Sequence, residues 1–165
     1  MQRVWRREDA SSRNRRGPGL RGVLVAVGGN DLDAEVITTA CNLIKGTKAF
    51  IYAVHVIEMP WSEAVDDSPG DAIVMGADRL LEHAAEIASA HGYKLEPELL
   101  QARNAGVALV DEAAARNCDV IIVGLPYKRE HGVFTLGDTV PYVLEHSPIN
   151  VWVIRTPEHI ASPAH

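Results

Sequence analysis

"VLVAVGGND", residues 23–31, decides the architecture. Apolar residues run from Val23 to Val27 without a polar break, then meet two glycines and two short polar residues. A short apolar run without alternation marks a strand buried on both faces, and glycines punctuate its end. Next comes "DAEVITTACNLIKG" (33–46), with Ile37, Ala40, Cys41 and Ile44 at helical spacing and Gly46 as a stop. Gly28 and Gly29 permit positive φ and a tight turn, and Asn30 or Asp31 is expected to cap the helix.

The alternation continues to the end of the chain. "AFIYAVHVI" (49–57) reads as a second strand, and "EMPWSEAVDDSPG" (58–70) as an acidic loop. "DAIVMGADRLLEHAAEIASAHG" (71–92) reads as a long helix with Ile73, Ala77, Leu80, Ala84 and Ile87 on its apolar face and Gly92 as its stop. "KLEPELLQ" (94–101) suits an edge strand, because Pro97 cannot donate to a ladder. A helix over "GVALVDEAAARN" (106–117), a strand over "DVIIVG" (119–124), a loop, a helix over "TVPYVLEHS" (139–147) and a strand over "NVWVIR" (150–155) complete the chain. The fold class is therefore α/β: a Rossmann-like open parallel five-stranded sheet with helices on both faces. Strand order is expected to reverse between the first and fourth strands. Gly28 and Gly124 would then face each other across a crevice at the carboxyl edge, where such sheets bind ligands.

The 165 residues suit one domain. No apolar run approaches the ~20 residues of a membrane helix. The start, "MQRVWRREDASSRNRRGPGL", has no apolar centre of a secretory signal, so a cytoplasmic location is expected. Cys41 and Cys118 show no metal spacing and read as small buried residues. Through Arg21, seven arginines stand against Glu8 and Asp9, a net of +5; the whole chain is −6, leaving −11 for the rest. Residues 1–20 read as a basic disordered tail or linker, 21–156 as the folded domain, and 157–165 as a short flexible C-terminal tail. The tail is a solvated leader or an arm for anionic surfaces. The acidic body argues against nucleic acid as the main partner.

Few polar residues invite chemistry. "GGND" resembles part of the Ser-Gly-Gly-x-Asp-Ser loop of ATP pyrophosphatases, but Val27 and Leu32 stand where the serines should be. A strand-to-helix turn explains the glycines more simply. His55, within an apolar strand, reads as a satisfied core histidine. His83 and His91 lack a partner at metal spacing, and Glu82 and Glu86 read as a solvated helix face. With no nucleophile–base pair, no catalytic residue is expected. Trp61 is a partner anchor, a lid over the crevice, or local packing. The strongest candidate is 123–155, where a helix opening at Gly137–Thr139 offers free N–H groups to a phosphate.

These residues carry a resemblance to the universal stress protein family over residues 22–155. "VLVAVGGN", "VHVIE" (54–58), "DVIIVG" and above all "LGDTVPYVLEHSPINVWVIR" (136–155) are its carriers. The last segment is also similar to stress-protein domains attached to amino-acid and cation transporters. The resemblance implies an adenine nucleotide alpha hydrolase-like sheet, a homodimer formed through Val151–Ile154, and a transporter or signalling partner. It implies ATP, AMP or another adenine nucleotide as ligand. Ala26, Val27 and Val56 match strand-end positions lining the adenine, with Gly29, Leu125, Lys128 and Arg129 beside them, while Gly28 stands where the family usually has an Asp that contacts the nucleotide. Nucleotide-binding members carry Gly-x2-Gly-x9-Gly-Ser/Thr. Gly124 and Gly137 match its first and third glycines; Tyr127 replaces the second, and Asp138 followed by Thr139 replaces Ser/Thr.

These departures oppose a polyphosphate. Tyr127 brings a ring where backbone should approach phosphate. Asp138 is placed to cap its own helix, and its charge costs about 4 kcal/mol per like charge at ~4 Å and an effective dielectric of ~20. Lys128, Arg129 and His131 are either a compensating cationic loop or a solvated one. Tyr127 stacking on a base would suit a nucleotide with fewer charges. Two readings stand: a regulatory domain sensing an adenine nucleotide, and an interaction module that works without one.

Overall fold

A computed structural model describes residues 19–65, 67–126, 128–130 and 133–155. The basic leader through residue 18, Tyr127, His131 and the segment 156–165 lie outside the described residues, so the expectations placed on them are not addressed by it.

The elements run β1 (Gly22–Ala26), α1 (Asp33–Ile44), β2 (Phe50–Glu58), α2 (Asp71–Ala90), β3 (Leu95–Ala102), α3 (Ala105–Ala115), β4 (Val120–Gly124), β5 (Lys128–Glu130), β6 (Val133–Thr135), α4 (Thr139–His146) and β7 (Asn150–Ile154). The main sheet has five strands in the order β3-β2-β1-β4-β7, every pair parallel. Order reverses between β1 and β4, as the sequence implies. The loop expected after the fourth strand contains a small antiparallel hairpin, β5–β6.

Burial on both faces explains the unbroken apolar strands. Successive residues point to opposite sides. Val23 and Val25 join Ile51, Ala53 and Ile122 in a core under α1 and α2. Leu24 joins Val54, Ile121 and Val123 in a second core under α3 and α4. Ile37, Ala40, Cys41 and Ile44 of α1 are all buried, as their spacing requires. In α2 burial begins only at Ala77, and Ile73 is exposed against expectation. At ~1.5 Å per residue, the 20-residue α2 outruns the 12-residue α1 beside it; in its first turn Val74 shares a shallow pocket with Ile57 and Leu99 while Ile73 is left exposed. Pro97 lies on β3, an edge strand, where its missing donor is tolerated.

Candidate functional site

A crevice of about 400 Å³ opens at the carboxyl edge of the sheet, where β1 and β4 diverge. β1 supplies Ala26 to its wall and the turn beyond supplies Val27 and Gly28; β2 supplies Val54, His55, Val56 and Glu58. Gly124 ends β4 and Leu125 follows it. The far side is Thr135–Val140, the passage from β6 into α4, with Ala105 and Leu109 of α3 beneath. The lower part is apolar; the rim carries Asn30, Glu58, Thr135, Asp138 and Thr139.

The structure thus brings together Ala26, Val27, Gly28, Val56, Gly124, Leu125, Gly137, Asp138 and Thr139 of the expected site. Gly29 stands beside them in the β1–α1 turn without lining the crevice. Lys128 and Arg129 belong to β5. Sequence reasoning missed Glu58, Asn30, Ala105 and Thr135. Glu58 and Ala105 were within its reach, since β2 and α3 meet the same carboxyl edge.

The first turn is built differently from the expectation. Neither Asn30 nor Asp31 caps α1: Leu32 occupies the cap position and offers no side-chain bond. Asp33, inside the helix, reaches back instead. Its carboxylate accepts the N–H groups of Gly28 at 2.9 Å, Gly29 at 2.7 Å and Asn30 at 3.3 Å. Asn30 Oδ1 accepts the Leu32 N–H at 2.9 Å. Only Gly29 of the pair has positive φ, at 72°. Gly124 is closely packed: a Cβ there would lie 3.1 Å from Leu32 Cβ and 3.3 Å from Val36 Cγ2.

His55 is half-buried, and its Nδ1 donates to the Val27 carbonyl at 2.7 Å. It is satisfied, as expected, yet it also lines the crevice. Glu58 accepts the N–H of Ala105, the first residue of α3, at 2.8 Å, while Asn104 Oδ1 caps the same helix through the Val107 N–H at 3.0 Å. Asp138 holds the cap position of α4 but makes no side-chain capping bond, a second correction. Trp61 is 86% exposed. The Arg103 guanidinium lies 5.2 Å from its ring centroid and donates to the carbonyls of Met59, Pro60 and Glu63, tying down the loop.

The strongest charge perturbations lie at the opposite edge. Burial raises the carboxyl of Asp119, but the N–H groups of Arg21 and Gly22 and the Arg21 guanidinium outweigh it, and the group titrates below its ordinary value. Burial, with the Asp119 charge beside it, pushes the Cys118 thiol up to about 11. Arg116 sits over the Tyr52 ring among Glu96, Glu98 and Glu112. None of these faces the crevice. Among the described residues there is no group of three or more metal-binding side chains, and no helix long and apolar enough to cross a membrane.

The model of the universal stress protein family matches residues 19–155. Solved structures share the fold. The universal stress protein from Archaeoglobus fulgidus superposes with a TM-score of 0.69 at 20% identity, over 81% of this chain and 98% of that one. The Archaeoglobus fulgidus protein in complex with dAMP gives 0.66 at 20% identity, over 81% and 97%. A universal stress protein in complex with cAMP gives 0.61 at 19% identity, over 84% and 99%. No curated protein matches the chain.

Proposed function

The chain belongs to the universal stress protein family, and on that premise we propose that it is a regulatory domain whose β1/β4 crevice receives an adenine nucleotide. One observation carries this reading: at the switch of strand order, the strand-end backbone of Ala26–Gly28 and the apolar side chains Val54, Val56 and Leu109 line a crevice of about 400 Å³. A planar base fits such a slot, with backbone groups at its edge and apolar walls on its faces. The structural neighbours in complex with dAMP and with cAMP support the ligand class. The phosphate side fits less well. Gly137 and Thr139 stand at the start of α4, but Asp138 lies between them and Tyr127 replaces a motif glycine. ATP therefore binds weakly, and the domain works as a cytoplasmic sensor with no catalytic residue. Calorimetry of the purified protein with AMP and ATP, with and without magnesium, tests this. Heat of binding from AMP with weak ATP binding supports it; submicromolar ATP affinity or silence toward both contradicts it.

The active unit we propose is a homodimer formed through β7. Among the described residues that strand pairs with β4 alone, and it carries the partly exposed Trp152. Edge strands of this kind are commonly paired or covered. A second reading has one observation in its favour. Trp61, held out by Arg103, suits an anchor for a transporter or signalling partner, and the domain would then act without nucleotide.

A further inference from the structure

Parallel sheets with crossover helices aim the positive ends of those helices at the carboxyl edge, and such ends attract anions. The starts of α1, α3 and α4 surround this crevice, and each already carries a carboxylate of this chain. At α1, Asp33 takes the N–H groups of Gly28, Gly29 and Asn30. At α3, Glu58 takes the Ala105 N–H and Asn104 takes that of Val107. At α4, Asp138 stands at the cap, Pro141 in the first turn has no N–H to give, and the Gly137 N–H is directed to Thr135 Oγ1 at 3.2 Å. Several donors around the crevice are thus already engaged within the chain, the Asp138 carboxylate stands beside those at the start of α4, and Glu58 and Asp138 both stand at the rim.

We propose that these carboxylates make the crevice select a neutral, donor-rich adenine nucleoside over its phosphorylated forms, with Glu58 and Asp138 as the specificity-determining residues. The proposal rests on the adenine reading of the site given above. Its chemistry is a match of acceptors to donors. Carboxylates at the rim accept from ribose hydroxyls. His55 Nδ1–H is committed to the Val27 carbonyl, so Nε2 is the ring atom left to accept from a hydroxyl or an exocyclic amine. A phosphate offers only acceptors and negative charge, and meets like-charge repulsion from the rim carboxylates.

The test measures adenosine and ATP affinities by calorimetry in magnesium-free buffer for the wild type, Glu58→Gln and Asp138→Ser. Both side chains are exposed, and circular dichroism melting verifies that each variant folds. Adenosine is expected to bind at least ~10-fold tighter than ATP to the wild type, and each variant to narrow that ratio by about 5-fold, the effect of one like charge at ~4 Å when the exposed rim is screened by water. Equal or tighter binding of ATP in the wild type overturns the selectivity. A ratio moved by neither variant overturns the roles of the carboxylates. Binding of neither ligand overturns the adenine reading and this inference with it, a pattern distinct from a reversed preference.

Discussion

Gly106, in the first turn of α3, governs how closely that helix approaches α4, whose start forms one wall of the crevice. A Cβ at Gly106 would lie 2.9 Å from both Cβ and Cδ1 of Tyr142, and 3.1 Å from the Asn104 oxygen that caps α3. The Tyr142 Cβ is anchored to the backbone and cannot swing aside. Its ring is stacked on His146 at 4.0 Å between centroids, so the ring also has little room to move. Gly106→Ala must push the helices apart, an overpacking cost of about 1–3 kcal/mol. Alanine in a helix returns about 1 kcal/mol. The net loss is up to about 2 kcal/mol, a fall in Tm of up to about 8 °C for a domain of this size. Gly76 in α2 is the control, since nothing lies within 4 Å of its added Cβ. Gly76→Ala should gain about 0.5–1 kcal/mol from helix propensity alone. Urea and thermal denaturation of both variants read the two signs. Equal or greater stability in Gly106→Ala would refute the packing argument, because the same substitution then stabilises with or without space.

Three further outcomes follow from the same structure. Asp119→Asn should lose about 1–3 kcal/mol at neutral pH through weakened acceptance from Arg21 and Gly22. The folded carboxyl titrates below its ordinary value of 3.8, so its contribution is present above that pH and fades as pH falls through the folded value; the gap from wild type should close in acid denaturation below about pH 4. Cys118, raised to about 11 from 9.0, stays a thiol in the fold while the unfolded chain ionises. Stability from this group is full below pH 9 and is lost as pH rises toward 11; alkylation at pH 8 should track global unfolding, and rapid labelling of the native protein would contradict this. Trp152→Glu should convert the proposed β7 dimer to monomer in light scattering without loss of helical circular dichroism; a wild type monomeric at micromolar concentration would sink the dimer.

The fold was legible because each strand of the main sheet announces itself. Val23–Val27 and Val120–Val123 are apolar runs stopped by glycine, and helical spacing lies between the strands. The hairpin β5–β6 was hidden because three-residue strands bearing Lys128, Arg129 and Glu130 show no alternation. The site was legible where backbone makes it, at Ala26–Gly28 and Gly124–Leu125. It was less so where long-range side-chain bonds make it. Glu58 meets the Ala105 N–H across 47 residues, a contact that only the crossover geometry creates. Asp33, the first residue of α1, binds the turn before the helix rather than capping it, and Asn30 and Asp31 leave the helix without a side-chain cap. Gly124 matches a phosphate motif by position, and in the fold it also lets Leu32 and Val36 pack closely against β4.

Adenine-bearing ligands are proposed to enter the β1/β4 crevice. Amide chemical-shift mapping of the isotopically labelled protein during titration with AMP tests it most directly. Saturable shifts should cluster at Val27, Gly28, Val56, Gly124, Leu125 and Gly137, with Arg21, Asp119 and the far end of α2 unmoved. Shifts confined to other surfaces, or none at millimolar AMP, would contradict it.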